Sequence, residues 1–169
     1  SVPGIYAAGD VTDRDQFVYM AAYGAKLAAK NAVLSEDHRY DNAVMPWVVF
    51  SDPQVAGVGL SEAQARDADF DVKTSIVPLD QVPRALAARE TRGLIKLVAD
   101  RKTDRLLGGQ IIAPEGSDTI QTLVMALKFG MTTKALGETI FPYLTTVEGL
   151  KLAAQTFDMD VAKLSCCAG

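Results

Sequence analysis

The order of its hydrophobic patterns constrains this chain most. Alternating, glycine-punctuated apolar segments occupy residues 44–113, and helical periodicity takes over from residue 117. Val48-Val49-Phe50 reads as a strand and Ser51-Asp52-Pro53 as a turn. Residues 55–60 alternate around Gly57 and Gly59, as in a strand approached closely by other backbone. Ser61 with Gln64 forms a capping box that opens a short helix toward Arg66. Residues 72–76 alternate as a half-buried strand, and the apolar runs 94–99 and 106–113 flank a polar turn, giving a hairpin with a loop. Ser117 is placed to cap a helix with Ile120, Leu123, Val124 and Leu127 on its core face, ended by Gly130. A short helix near 133–139 and another near 146–156 follow, separated by Pro142. Strands first and helices second predict an α+β fold, an antiparallel sheet with helices on one face.

A strand–turn–helix precedes this block. Ile5-Tyr6-Ala7-Ala8 is a short apolar run that stops at Gly9-Asp10, and a helix is expected from about residue 17 to 33. Its Phe17, Ala21, Ala25, Ala28 and Ala32 form a face small enough to sit close on a sheet. The polar stretch 35–42 is the linker candidate. The 169 residues, 49% hydrophobic and 22% charged, suit one globular domain or one and a fraction. A net charge of −4 without a basic block argues against a nucleic-acid partner. No run approaches the roughly 18 apolar residues of a membrane span. Two cysteines and one histidine exclude a disulfide framework and a zinc-finger-like site. The absence of an initiator Met and of a signal-peptide pattern suggests a cut or processed chain, soluble and cytoplasmic.

Cys166 and Cys167 are adjacent, two residues from the C-terminus. Adjacent thiols on a terminal tail suit capture and delivery of a soft metal ion. Their spacing disfavours an unstrained disulfide between them, and the alternative is an incidental exposed pair. Gly9-Asp10 at the end of a strand puts a carboxylate where ligands bind, able to accept hydrogen bonds from sugar or ribityl hydroxyls; a simple turn is the other reading. The amides near Gln16, Phe17 and Val18, at the next helix start, could face an electron-rich oxygen. Tyr143 follows Pro142 at a helix break, where its hydroxyl can donate to a thiolate or a metal-bound ligand, or simply pack. Glu148 forms a capping box with Thr145. His38 reads as a solvated linker histidine, and Arg84, Arg89 and Arg92 as solvated or interface charge.

The tail Leu164-Ser165-Cys166-Cys167-Ala168-Gly169 and the segment Phe141-Pro142-Tyr143-Leu144-Thr145-Thr146-Val147-Glu148-Gly149-Leu150-Lys151-Leu152 resemble the mercury-reducing members of the flavin-dependent pyridine nucleotide–disulfide oxidoreductases. Ser1-Val2-Pro3-Gly4-Ile5-Tyr6-Ala7-Ala8-Gly9-Asp10 resembles that family's second flavin motif. Met45-Pro46 through Gly59 resembles the opening of its dimerisation domain. Dithiol-reducing members carry a His-x-x-x-x-Glu pair as base and orienter; here Tyr143 stands at the histidine position and Glu148 at the glutamate position. A phenol, ionising near about pH 10, is a poor general base at neutral pH, so the tyrosine argues against a dithiol substrate.

The resemblance implies that residues 1–43 are the last strand and helix of an α/β FAD-binding domain. Residues 44–169 are then a dimerisation domain with a Cys-Cys tail. It implies reduction of Hg(II) to Hg(0) by NADPH through FAD, in a homodimer. Gly9, Asp10, Gln16, Phe17 and Val18 would bind the cofactor, with Asp10 on the ribityl chain and the Val18 amide facing the flavin ring. Cys166 and Cys167 would take Hg(II) from thiol complexes and pass it to the partner subunit's active site. Tyr143 would stand beside the inner metal site. The family's Gly-x-Gly-x-x-Gly loop, redox Cys pair and nicotinamide domain are absent from these residues, so the chain alone is not expected to be active. Two alternatives remain at this point. One is a dimeric thiol module carrying soft metals. The other is a fragment of a lipoamide-dehydrogenase-like reductase, whose expected histidine is replaced here by Tyr143.

Overall fold

A computed structural model of the protein describes residues 2–34 and 36–161. The chain divides into two compact units, with the boundary between Asn42 and Ala43.

The larger unit holds one five-stranded sheet. Its strands are β1 (Pro46–Val49), β2 (Gln54–Gly59), β3 (Val72–Pro78), β4 (Leu94–Asp100) and β5 (Leu106–Ala113). They lie in the order β1-β2-β5-β4-β3, every pair antiparallel. The expected hairpin is β4–β5, and its register shifts between Val98 and Ala99, leaving Leu107 of β5 without a partner on β4. The two glycines of β2 answer to different neighbours. A Cβ on Gly59 would lie 2.4 Å from the Leu107 carbonyl oxygen, the close backbone approach expected. A Cβ on Gly57 would instead lie 2.4 Å from the Trp47 ring, since Trp47 is its cross-strand partner and covers it.

Helices α3 (Pro83–Ala88), α4 (Gly116–Lys128), α5 (Thr133–Glu138) and α6 (Glu148–Gln155) cover one face of the sheet. Here α4 crosses β1, β2 and β5, while α6 crosses β3 and β4 and packs on α5. The core between them is built from Val58, Val77, Ile95, Leu97 and Ile111 of the sheet with Ile120, Leu123, Leu136 and Leu150 of the helices. The predicted α4 core face holds: Ile120, Leu123 and Val124 are buried and Leu127 packs against them. The short α2 (Glu62–Asp67) departs from the one-face expectation. Its Ala65 packs with Val72 and Val98, which point away from the main core, because side chains alternate along each strand. The Ser61–Gln64 capping box is formed in both directions, at 2.9 and 3.2 Å. Ser117 is not the cap of α4. Glu115 holds that position, and the Ser117 N–H in the first turn donates to Gln54 Oε1 of β2 at 2.9 Å.

The smaller unit holds α1 (Val18–Leu34), within one residue of the expected span. Residues 5–8 make no strand ladder among the described residues, since no other strand of this unit offers them an edge. Met20 is the one buried side chain among the described residues of this unit. No helix among the described residues is long and apolar enough to cross a membrane.

Candidate functional site

The sequence points to two sites, one in each unit. In the smaller unit the chain must turn sharply after residue 8. Gly9 does this at φ 81, a conformation that favours glycine, and a Cβ there would press to 3.2 Å from Ala21 Cβ of α1. A single 3₁₀ turn, Asp10–Thr12, follows. The Thr12 N–H and hydroxyl both donate to the Gly9 carbonyl, at 2.9 and 2.8 Å, and the Asp13 N–H donates to the Asp10 carbonyl at 2.9 Å. The Asp10 carboxylate is left exposed.

The loop then reaches α1 through two left-handed residues, Asp13 (φ 54) and Asp15 (φ 39). The Phe17 N–H donates to the Asp15 carbonyl at 2.6 Å, and the Phe17 carbonyl accepts the Met20 and Ala21 N–H groups at 3.0 Å each. The Phe17 ring stacks on Tyr19 at 5.2 Å. The Val18 N–H, at the start of α1 and so without an intrahelical partner, has no acceptor among the described residues. Gln16 is exposed and its amide reaches Asp13 at 3.4 Å. A hollow of about 280 Å³ lies alongside, lined by residues including Tyr6, Ala8, Gly9, Thr12 and Arg14.

In the larger unit, the loop between α5 and α6 presents Tyr143, 61% exposed. The next residue, Leu144, sits at φ 64. Its N–H donates to Oε2 of Glu148 at 3.1 Å, and Glu148 is only 3% exposed. The Thr145 hydroxyl donates to the Pro142 carbonyl at 2.8 Å and accepts from the Glu148 N–H at 3.3 Å. The capping box expected here is thus half formed: the glutamate returns to the amide of Leu144 rather than that of Thr145, because the left-handed turn at 144 brings that amide nearer. A second tie holds the loop to the start of α4. The Thr146 hydroxyl donates to Glu115 Oε2 at 2.6 Å, and Arg84 Nη2 lies 3.5 Å from Glu115 Oε1. Ile140, Phe129 and Met125 of this unit are also exposed, at 94%, 72% and 46%.

Cys166 and Cys167 lie outside the described residues. Among the described residues no three His, Cys, Asp or Glu side chains converge as a metal site. His38 is exposed and contacts Glu36, while its backbone exchanges two 2.9 Å hydrogen bonds with Asn31. Arg92 bridges Glu90 and Asp52 on the surface. Sequence reading missed Asp15, whose carboxylate links the loop before α1 to the segment after it, 25 residues away. Two aspartates in the short run Asp13-Arg14-Asp15 were the available signal, since Asp tolerates the left-handed region better than most residues.

The family model for the pyridine nucleotide-disulphide oxidoreductase dimerisation domain matches residues 45–154. The chain belongs to the pyridine nucleotide-disulphide oxidoreductases. Residues 45–154 are this family's dimerisation domain, which accounts for the sheet-and-helix layout of the larger unit. Among relatives, the chain is 54% identical over 165 residues to a mercuric reductase from Bacillus cereus, covering 98% of this chain and 26% of that protein. It is 53% identical over 169 residues to a mercuric reductase from Shigella flexneri, covering 100% of this chain and 30% of that protein. Among solved structures, an HOCl-induced flavoprotein disulfide reductase from Escherichia coli superposes with a TM-score of 0.81 at 30% identity, over 89% of this chain and 35% of that one. The chain therefore spans about a third or less of the family members it matches.

Proposed function

We propose that this chain is the C-terminal part of a cytoplasmic flavoenzyme that reduces Hg(II) to Hg(0) with NADPH. In this reading residues 1–43 end an FAD-binding domain, and residues 44–169 form the dimerisation domain of a homodimer with a cysteine tail. The observation that carries the proposal is identity of about half, 54% to one mercuric reductase, over 98% of the chain. Tyr143 at the position where dithiol reductases carry histidine supports mercury over a dithiol as substrate.

The smaller unit fits a flavin. The exposed Asp10 carboxylate is an acceptor for ribityl hydroxyls, and the Val18 N–H, without an acceptor among the described residues, is a donor for a ring oxygen. Gly9 keeps the backbone close to α1, and Gln16 and Phe17 complete the approach. Bound FAD would relay the two electrons of NADPH to Hg(II), giving Hg(0), NADP⁺ and a proton. The chain's own residues bind and orient. Cys166 and Cys167 take Hg(II) from thiol carriers by thiolate exchange, one Hg–S bond forming as another breaks, and pass it to the partner subunit. Tyr143 donates its hydroxyl hydrogen bond to a thiolate at the inner metal site. Glu148 and Thr145 fix the loop that presents it.

The test is made on the full-length enzyme with thiol-bound Hg(II). Changing both Cys166 and Cys167 to Ala should slow turnover at least tenfold while flavin reduction by NADPH stays normal. Unchanged turnover removes the hand-off role. A flavoenzyme with no Hg(II)-dependent NADPH oxidation at all sinks the functional reading.

A further inference from the structure

We infer that Asp15 is a positioning residue for the flavin site, tying the segment after α1 to the loop that leads into α1. The inference rests on the flavin reading above. Asp15 occupies a left-handed conformation at φ 39, which Asp tolerates better than most residues and which its surroundings here fix. The enforcement is visible. One carboxylate oxygen, Oδ2, accepts from the Tyr40 hydroxyl at 3.0 Å and from Asn42 Nδ2 at 2.8 Å. Both donors come from the stretch that sequence patterning marks as a linker. That stretch is strapped along α1 elsewhere too. Asn31 exchanges two hydrogen bonds with the His38 backbone, and the Asp41 N–H donates to the Tyr23 hydroxyl at 3.2 Å. The Tyr40 ring lies 5.4 Å from that of Tyr23 and covers Gly24, where a Cβ would lie 3.5 Å from its edge. Burial, with the Asp15 hydrogen bond next, holds the Tyr40 hydroxyl above the ordinary phenol range, so it remains a proton donor.

The far end of this strap is the proposed cofactor surface. The Asp15 carbonyl accepts the Phe17 N–H at 2.6 Å, so the orientation of the Phe17 and Val18 peptides follows from that of Asp15. Releasing Tyr40 and Asn42 frees the loop to sample other conformations and misdirects the Val18 N–H, while Asp10 and the Val18 peptide themselves are unchanged.

The experiment measures FAD affinity of the full-length apoenzyme by flavin fluorescence, and amide exchange of residues 13–18 in the present chain. The double variant Tyr40→Phe with Asn42→Ala should weaken FAD binding about tenfold and speed exchange across the loop. Asp15→Ala should do at least as much, since it also meets the positive φ with a residue that resists it. Asp15→Asn should stay within about threefold of the parent, because its amide oxygen can accept both bonds and Asn tolerates the left-handed region. Asp10→Ala serves as the reference. If Asp10→Ala loses FAD while the double variant and Asp15→Ala bind normally, the positioning role is overturned. If Asp10→Ala also binds normally, the placement of flavin on this loop is wrong, and the inference falls with it.

Discussion

In residues 43–161 the sheet and four helices close on a core in which Val58, Ile95, Leu97, Ile111, Leu123 and Leu150 are fully buried. In residues 2–42 a helix of 17 residues buries only Met20 and leaves Val18, Val33 and Leu34 at 85%, 79% and 59% exposure. The first region is held by apolar burial, which is non-directional and grows with area. The second is held by directional ties, the Asp15, Tyr23 and Asn31 bonds that bind residues 38–42 to α1. Burial stabilises a region as a whole, whereas hydrogen bonds exchanged against water add about 1 kcal/mol each. In the proposed reading, the exposed apolar residues of the smaller region would be covered by the rest of the flavin domain.

The largest expected effect follows from dividing the chain at this boundary. A fragment spanning 43–169 should unfold cooperatively, with a thermal midpoint within about 5 °C of the intact chain. A peptide spanning 1–42 should show no cooperative transition, since isolated helices of this length are marginal. Circular dichroism melts of the two pieces decide this, and a 43–169 fragment that fails to melt cooperatively breaks the comparison. Next in size are single truncations. Leu123→Ala should cost about 2–5 kcal/mol in urea denaturation, the range for a fully buried leucine. Met20→Ala should change the same transition by less than about 1 kcal/mol. Equal losses would mean that the two regions unfold as one body.

The smallest effect sharpens the picture of the larger region. Burial pushes the Asp104 carboxyl up, but Lys73 Nζ, the Thr133 hydroxyl and the Lys134 N–H together hold it below its ordinary value of 3.8. A depressed folded pKa contributes stability that is present above the unfolded value and is lost as pH falls through the folded one. The chain should therefore lose stability below about pH 4, and Asp104→Asn should lessen the difference between pH 7 and pH 3. A variant with the same pH profile as the parent would remove Asp104 as a contributor.

Much of the larger region was legible because its signals are local. The Ser61 capping box spans three residues, the β4–β5 hairpin joins neighbouring runs, and the α4 core face repeats within three turns. The errors arose where a distant partner or an unforeseen local turn intervened. Ser117 reads as a cap until Gln54, 63 residues away, takes its N–H. Glu148 reads as half of a capping box until the left-handed turn at Leu144 offers a nearer amide. Of the candidate site, Gly9-Asp10 and Tyr143 stood out as residue types in a local context, but the longer ties of their units did not, because Asp15 to Tyr40 and Thr146 to Glu115 span 25 and 31 residues.

Periodicity, caps and the chemistry of side chains at breaks and ends act over a few residues, and the sequence alone determined these: the α+β class, most element positions, the Cys166-Cys167 pair and the Tyr143 substitution. The tertiary structure decided the strand order β1-β2-β5-β4-β3, the placing of α2 on the face opposite the other helices and the Asp15 strap. Each of these depends on which distant surfaces meet, and that is set by the total burial and hydrogen bonding of the packed chain rather than by any local pattern.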